Sequence, residues 1–162
     1  MASEHELEAA RLILNHRWAA LATVEGGAPL ATMVAYAPEP TLDGIIIFLS
    51  ELSQHTRNLL RDPRVSLVIS EPDDGEDDPQ LLPRVSLTGG ARPIAAEDAG
   101  FERVKALYLS RFPDAEMRFE MSDFHLFRLV PADIRYVGGF ARAFSMSPKD
   151  LTDAAAALAV SS

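Results

Sequence analysis

The chain has 162 residues, which fits one domain, and its 48% hydrophobic and 24% charged residues are close to the globular average. Its 24 acidic and 15 basic residues give a net charge of −9, which argues against duplex nucleic acid or an anionic membrane as a partner, since both require a basic face. Six of these acids lie in residues 71–78; without them the balance is 18 acidic against 15 basic residues, or −3.

Cysteine usage and the N-terminal residues narrow the class of protein further. The chain has no cysteine, which excludes a disulfide framework, a thiolate metal site, an iron–sulfur cluster and a cysteine nucleophile. No segment reaches the ~18 consecutive apolar residues that cross a bilayer, and the N-terminus lacks the basic region of a signal peptide. We therefore expect a cytoplasmic protein without a membrane partner.

The first half of the sequence predicts two helices and four short strands. Ser3 and Glu6 form a capping-box pattern at the start of the first helix, and Asp62-Pro63 ends the second. Apolar residues at helical spacing, β-branched runs and glycine-rich turns define the elements between them. In chain order these are a helix over 3–15, strands over 18–24, 29–36 and 45–49, a helix over 54–61 and a strand over 65–70.

The second half of the sequence predicts an acidic exposed loop over 71–79 and then further strands. Gly89 and Gly90 interrupt one of these strands, and a pair of glycines there indicates a β-bulge or a close backbone approach. The predicted elements are a strand over 84–92, a helix over about 95–112, strands over 124–130 and 133–137 on either side of Pro131, and a terminal helix or frayed tail over 150–160.

Strands that follow one another without βαβ alternation favour an antiparallel sheet. Closing such a sheet removes the exposed edges that these apolar strands would otherwise present. We therefore predict a mainly β (α+β) fold, a six- to seven-stranded antiparallel Greek-key barrel with peripheral helices. A single domain spans 1–162, with its core over about 12–144 and a C-terminal tail or helix over 145–162.

One segment combines residue types that suit an anionic ligand. The apolar strand over 45–49 ends at Ser50, and Ser53 follows as the N-cap of a helix whose first turn contains His55 and Arg57. Free backbone N–H groups at a helix start attract anions, and arginine can bind a phosphate through two hydrogen bonds. Cations in a first helical turn oppose the helix dipole, which favours a phosphate-bearing ligand there. Ordinary capping by Ser53 beside solvated basic residues remains an equal alternative on these grounds.

The run from Ser50 to Leu67, SELSQHTRNLLRDPRVSL, resembles the pyridoxamine 5′-phosphate oxidase-like FMN-binding split-barrel family. The similarity is greatest to the branch that includes haem-utilisation (HugZ-type) proteins. Three further segments support the resemblance, which covers roughly residues 12–144: Pro29–Ala37, Val85–Arg92 and Tyr136–Ala143.

The resemblance implies a homodimeric split barrel with FMN bound at the subunit interface. Carried over position by position, it implies that a set of polar and basic residues holds the phosphate, namely Ser50, Ser53, His55 and Arg57. It also implies that a strand segment lies along the flavin ring, mainly through backbone groups, namely Ala31, Thr32, Met33 and Val34. A histidine at position 55 departs from the lysine often found there in the family.

The resulting function hypothesis is an FMN-binding flavoprotein, with flavin-dependent oxidoreductase activity if it is an enzyme. The alternative is a non-catalytic protein that binds flavin or haem for storage, sensing or haem utilisation. The sequence identifies no catalytic residue, no preformed metal site and no substrate.

A few conspicuous residues lie outside this segment. Trp18 is most simply a core residue, and His125 in an alternating strand is most simply a structural one. The Gly138-Gly139-Phe140 segment has two interpretations, a close approach to the flavin or to a partner subunit, which we favour, or a turn with Phe140 in the core.

Overall fold

An antiparallel sheet of eight strands and four α-helices form the framework of residues 1–161, the part of the chain that this computed structural model describes. The helices are α1 (Glu4–Asn15), α2 (Gln54–Arg61), α3 (Phe101–Arg111) and α4 (Pro148–Val160). The strands are β1 (Trp18–Glu25), β2 (Ala28–Ala35), β3 (Ala37–Pro38), β4 (Ile45–Ser50), β5 (Arg64–Ser70), β6 (Arg84–Ile94), β7 (Phe124–Val137) and β8 (Ala143–Met146). Short 3₁₀ segments cover Pro79–Leu81 and Pro113–Glu120.

The strands lie in the order β2-β1-β5-β6-β7-β4-β3, with β8 paired to β7, and every pairing is antiparallel. The sheet curls until β2 contacts β4, although these strands lie near its opposite ends. The result is a half-barrel with helices around it, so the predicted fold class is confirmed. The sheet has eight strands where seven were the most predicted, because two short strands, β3 and β8, were not predicted and two predicted strands form the single strand β7.

The two strands predicted around Pro131 form one continuous strand, β7. The register moves from Thr88–Asp133 to Gly89–Pro131, so Ala132 is an extra residue opposite β6. A bulge of this kind accommodates a proline, which has no N–H for the ladder. The bulge predicted at Gly89 is therefore confirmed, and a Cβ atom at Gly89 would lie 2.0 Å from the Val130 carbonyl oxygen.

The main core fills the concave face of the sheet and is closed by α1 and α4. Leu12 and Ile13 of α1 and Leu151 of α4 are buried with the inward residues of the strands. At the start of α1 the Glu6 carboxylate accepts a hydrogen bond from the Ser3 backbone N–H at 2.6 Å, as the capping box predicts. The C-terminal segment, for which the sequence left two interpretations, is a packed helix. Helix α3 begins only at Phe101, later than predicted.

The prediction that Trp18 belongs to the core is wrong. Residues of β1 alternate, so that Ala19 and Leu21 are buried while Trp18 is 58% exposed. Pairing with Ala35 places Trp18 on the convex face of the sheet, opposite to the face that α1 and α4 cover. None of the helices within residues 1–161 combines the length and apolar character that a bilayer crossing requires.

We expect Gly89→Ala to lower the free energy of unfolding by about 2 kcal/mol or more, because the new Cβ would overlap backbone that the bulge holds in place. Chemical denaturation monitored by circular dichroism measures the change. Gly90→Ala is the matched control, since its Cβ would lie 3.8 Å from the Pro63 carbonyl oxygen. Equal effects of the two substitutions would contradict this account of the bulge.

Candidate functional site

The junction between β4 and α2 contains the predicted phosphate-binding residues. Ser50 is the last residue of β4, and Ser53 is the N-cap of α2 with an extended backbone conformation. The Ser50 hydroxyl donates to Asp123 Oδ2 at 2.5 Å and accepts from the Leu52 backbone N–H at 3.1 Å. Its one O–H donor is thus used to close the loop against the residue that precedes β7, and the Asp123 carboxylate lies beside the predicted phosphate-binding residues.

The Arg57 guanidinium is also engaged within the junction. Nη1 donates to the carbonyl oxygens of Glu51 and Leu52, both at 2.8 Å, and Nη2 donates to Gln54 Oε1 at 2.6 Å. These acceptors belong to the same loop and helix turn, so Arg57 stabilises the junction itself. These contacts use three of its five N–H donors, so two donors remain for another acceptor.

Ser53 and His55 complete the predicted set of phosphate-binding residues. The Ser53 hydroxyl forms no capping hydrogen bond in the described chain. His55 Nδ1 lies 2.9 Å from Thr32 Oγ1, so the structure brings β2 to the first turn of α2. Burial lowers the pKa of His55 below its ordinary value of 6.5, which favours the neutral ring. His55 is therefore a weak cation for an anionic ligand.

The four predicted flavin-facing residues of β2 point alternately to opposite sides. Ala31 and Met33 are exposed on the convex face, whereas Thr32 is half-buried and Val34 is buried on the concave face. β2 is an edge of the sheet and pairs with β1 alone among the described strands, which leaves backbone groups on its other side for a ligand. The flavin-contacting role of these residues stays a prediction.

The convex face carries a cavity that the sequence did not predict, which we call the Trp18 cavity. It has a volume of about 530 Å³ and lies over β1, β2 and β5. Trp18, Met33 and Val68, its large apolar side chains, are 58%, 47% and 37% exposed. The remaining lining residues are Asn15, His16, Arg17, Ala19, Ala20, Ser70 and Pro72. Apolar residues at outward positions of three adjacent strands were the available signal, but it appears only once the register is known.

His16 and Arg17 supply the polar rim of the Trp18 cavity. His16 Nδ1 lies 2.8 Å from the Leu12 carbonyl oxygen, and Nε2 lies 3.1 Å from Glu71 Oε2. Arg17 is exposed and forms no ion pair with a carboxylate of the described chain; its guanidinium carbon lies 5.9 Å from the centroid of the Phe112 ring. The rim thus combines an anchored imidazole with an available cation.

Glu71 also revises the interpretation of the acidic loop. Most of residues 71–79 are exposed, as expected for self-repelling charges, but Glu71 is half-buried and contacts His16. Glu71 itself lines a neighbouring cavity with Leu12 and Tyr136, so the acidic segment begins beside α1.

A second histidine–carboxylate pair lies at the opposite end of the half-barrel. His125 Nε2 is 2.5 Å from Glu51 Oε1, beside a smaller cavity of about 280 Å³ that includes Phe48, Phe119 and Phe124 in its lining. Among the described residues no group of three or more His, Asp or Glu side chains is arranged to hold a metal ion. A metal at either histidine would therefore have to arrive with most of its ligands already supplied.

Of the two interpretations of the Gly138-Gly139-Phe140 segment, the one with Phe140 in the core is wrong. Phe140 is 87% exposed at the tip of the β7–β8 hairpin, where Gly139 has a positive φ of 128°. Arg142 reaches back to Glu8 Oε2 at 3.4 Å. Proximity to a flavin or a partner subunit remains a prediction.

Comparison with known proteins places these features in context. The sequence model described as "CREG, beta-barrel" matches residues 2–152. The chain is 36% identical over 119 residues to the chloroplastic "non-canonical heme oxygenase HOZ" of Arabidopsis thaliana, covering 73% of this chain and 34% of that protein. It is 33% identical over 143 residues to "heme oxygenase HutZ" of Vibrio cholerae, covering 82% of this chain and 76% of that protein.

A solved structure shares the fold closely. The haem-binding protein from Mycobacterium smegmatis superposes with a TM-score of 0.83 at 28% identity, covering 94% of this chain and 62% of that one. The chain thus spans about a third of the plant relative and under two thirds of the mycobacterial protein. The resemblance inferred from the sequence is confirmed, including its haem-utilisation branch.

We expect the titration midpoint of His55, followed by NMR of its ring signals, to lie below 6.5, because burial disfavours the charged ring. As the pH decreases, this histidine is therefore protonated at a higher pH in the unfolded chain than in the folded protein. The free energy of unfolding then decreases as the pH drops through about 6.5. His55→Gln is expected to flatten that part of the pH dependence. A midpoint at or above 6.5 would contradict the burial of the ring.

Proposed function

Since the chain belongs to the CREG β-barrel family, whose fold is the pyridoxamine 5′-phosphate oxidase-like split barrel, we propose that it binds haem. The names of the two curated relatives describe haem oxygenases, and that of the mycobacterial structure describes a haem-binding protein. The proposal concerns ligand binding by this chain. Haem degradation and haem storage are two uses of such a site.

The observation that carries the proposal is the chemistry of the Trp18 cavity. Haem is a flat apolar macrocycle with two carboxylate side chains at one edge. Trp18, Met33 and Val68 present an apolar floor, and Arg17 at the rim has no carboxylate partner in the described chain. An indole ring and a thioether suit a flat conjugated ligand, and a free guanidinium suits a carboxylate. When bound, haem would supply the redox and oxygen chemistry, and these residues would hold and orient it.

The β4–α2 junction supports FMN less well. Ser50 and Arg57 already form hydrogen bonds within the protein, and the pKa of His55 is lowered. An incoming phosphate would approach the Asp123 carboxylate and would have to replace it as the acceptor of the Ser50 hydroxyl, whereas Arg57 keeps two N–H donors for an anion. The exchange at Ser50 removes part of the free energy that phosphate binding provides. Flavin-dependent oxidoreductase activity is thus the weaker hypothesis, and the haem alternative fits better.

We expect haem to quench the fluorescence of Trp18, the single tryptophan of the chain, on titration into the purified protein. The reason is that haem absorbs at the emission wavelength of an indole that it contacts. A Soret band that saturates in parallel measures the same binding event. FMN titrated under the same conditions is expected to bind much more weakly.

Two glutamate substitutions locate the site. Val68→Glu places a carboxylate in the floor of the cavity, facing an apolar ring, and is expected to weaken haem binding by about tenfold or more. Leu52→Glu adds the same charge at an exposed apolar residue outside the cavity and is expected to leave affinity unchanged. Tight FMN binding without haem binding would reverse the assignment.

We also propose that the chain forms a homodimer through the convex face, with the Trp18 cavity and its haem at the interface between the two copies. The exposed Trp18, Met33 and Val68 form an apolar surface that a second copy could cover. Sedimentation velocity is expected to show a dimer for the wild-type chain and for Leu52→Glu, but a shift to monomer for Met33→Glu. A monomeric wild-type chain at all concentrations would refute the dimer.

A further inference from the structure

A row of outward side chains crosses three strands on the floor of the Trp18 cavity. Ala20 of β1 is paired directly with Met33 of β2 on one side and with Val68 of β5 on the other, and all three line the cavity. Trp18 lies two residues before Ala20 on the same face of β1. Since neighbouring strands are about 4.8 Å apart, the row is roughly 10 Å wide. Its smallest side chain is at its centre, which leaves a floor suited to a flat ring.

The imidazole of His16, which belongs to the lining of the Trp18 cavity, makes its contacts elsewhere. Nδ1 lies 2.8 Å from the Leu12 carbonyl oxygen, and Nε2 lies 3.1 Å from Glu71 Oε2. Leu12 and Glu71 line the neighbouring cavity with Tyr136 and do not line the Trp18 cavity. Both ring nitrogens are thus engaged by residues outside the Trp18 cavity.

The other polar side chains in the lining of the Trp18 cavity are Asn15, Arg17 and Ser70. An amide, a guanidinium and a hydroxyl are hydrogen-bonding groups, whereas proteins hold haem iron through His, Cys, Tyr or, alongside a histidine, Met. Met33 thus remains as the one such side chain of the lining that is not engaged elsewhere in the described chain. The lining offers an apolar surface to a macrocycle and a guanidinium to its carboxylates, but only a thioether to its metal.

We propose that the Trp18 cavity recognises the flat ring and the carboxylates of a tetrapyrrole and not its central metal. The ligand class then includes metal-free porphyrin dicarboxylates as well as haem. This inference rests on the proposed function. Burial of apolar area supplies most of the affinity, and both ligands bury the same ring. Ala20 determines the specificity for flat ligands, because a larger side chain there would separate the ring from the floor.

The first test compares two ligands of the full wild-type chain. Haem and metal-free protoporphyrin IX are titrated separately, and quenching of the fluorescence of Trp18 measures each dissociation constant. The two constants are expected to agree within about fivefold, because the buried apolar ring is the same. A chain that binds haem but differs by more than this between the two ligands would overturn the inference and leave the proposed function standing. A chain that binds neither ligand would refute the proposed function.

The second test concerns the thioether of Met33. Met33→Leu keeps an apolar side chain of similar size and removes the sulfur atom. The ratio of the two dissociation constants is expected to equal that of the wild type. A loss of affinity for haem alone, with protoporphyrin binding retained, would show that the metal is recognised and would overturn the inference.

The third test changes the centre of the floor. Ala20→Leu is expected to weaken both ligands equally, by about tenfold or more. Ala156→Leu, the same substitution at an exposed position of α4, is the matched control and is expected to bind both as the wild type does. Equal affinities of the two variants would contradict the role of Ala20. The comparison of ligands on the wild-type chain needs no substitution and decides the proposal if Ala20→Leu does not fold.

Discussion

The alternation of β1 between two apolar faces is the constraint on which the rest of the structure depends. Its inward residues, among them Ala19 and Leu21, are buried in the core that α1 and α4 close. Its outward residues, among them Trp18 and Ala20, are also apolar but lie on the convex face. Because a strand cannot move one set of side chains without moving the other, packing the concave core fixes an apolar surface on the outside. The Trp18 cavity follows from that surface, together with neighbouring residues of β2 and β5.

At the β4–α2 junction, hydrogen bonds that stabilise the fold involve side chains that are also predicted to bind a ligand. Asn58 of α2 donates to Thr23 of β1 at 3.0 Å in a buried contact, and Arg57 holds two carbonyl oxygens of the preceding loop. These hydrogen bonds seat a short helix on the sheet and use three of the five N–H donors of Arg57, so two remain for a ligand. The phosphate-binding role that the family resemblance implies for this junction stays a prediction.

Local patterns predicted much of the fold. The capping box at Ser3, the helix after Ser53 and the bulge at Gly89 each depend on neighbouring residues, and the structure has all three. Properties that depend on register were not predictable in the same way. Trp18 is a large apolar residue of the kind expected in a core, and only its pairing with Ala35 shows that it lies on the convex face. The four-residue strand β8 likewise depends on β7 for its existence.

The contacts of the candidate site likewise include some that the sequence could predict and some that it could not. The family resemblance assigns Thr32 and His55 to one ligand site, and in the structure their side chains lie 2.9 Å apart. The contact between His16 and Glu71 spans 55 residues and joins the end of α1 to the acidic segment, and no sequence pattern relates the two. The acidic residues over 71–78 therefore include one that makes a structural contact, which the composition of the segment does not reveal. A segment predicted to be solvated begins with a carboxylate that contacts His16. Glu71 lines a neighbouring cavity with Leu12 and Tyr136, so its contact with His16 ties the start of the acidic segment to α1, and the mutual repulsion of the remaining acids acts on the exposed part of the loop.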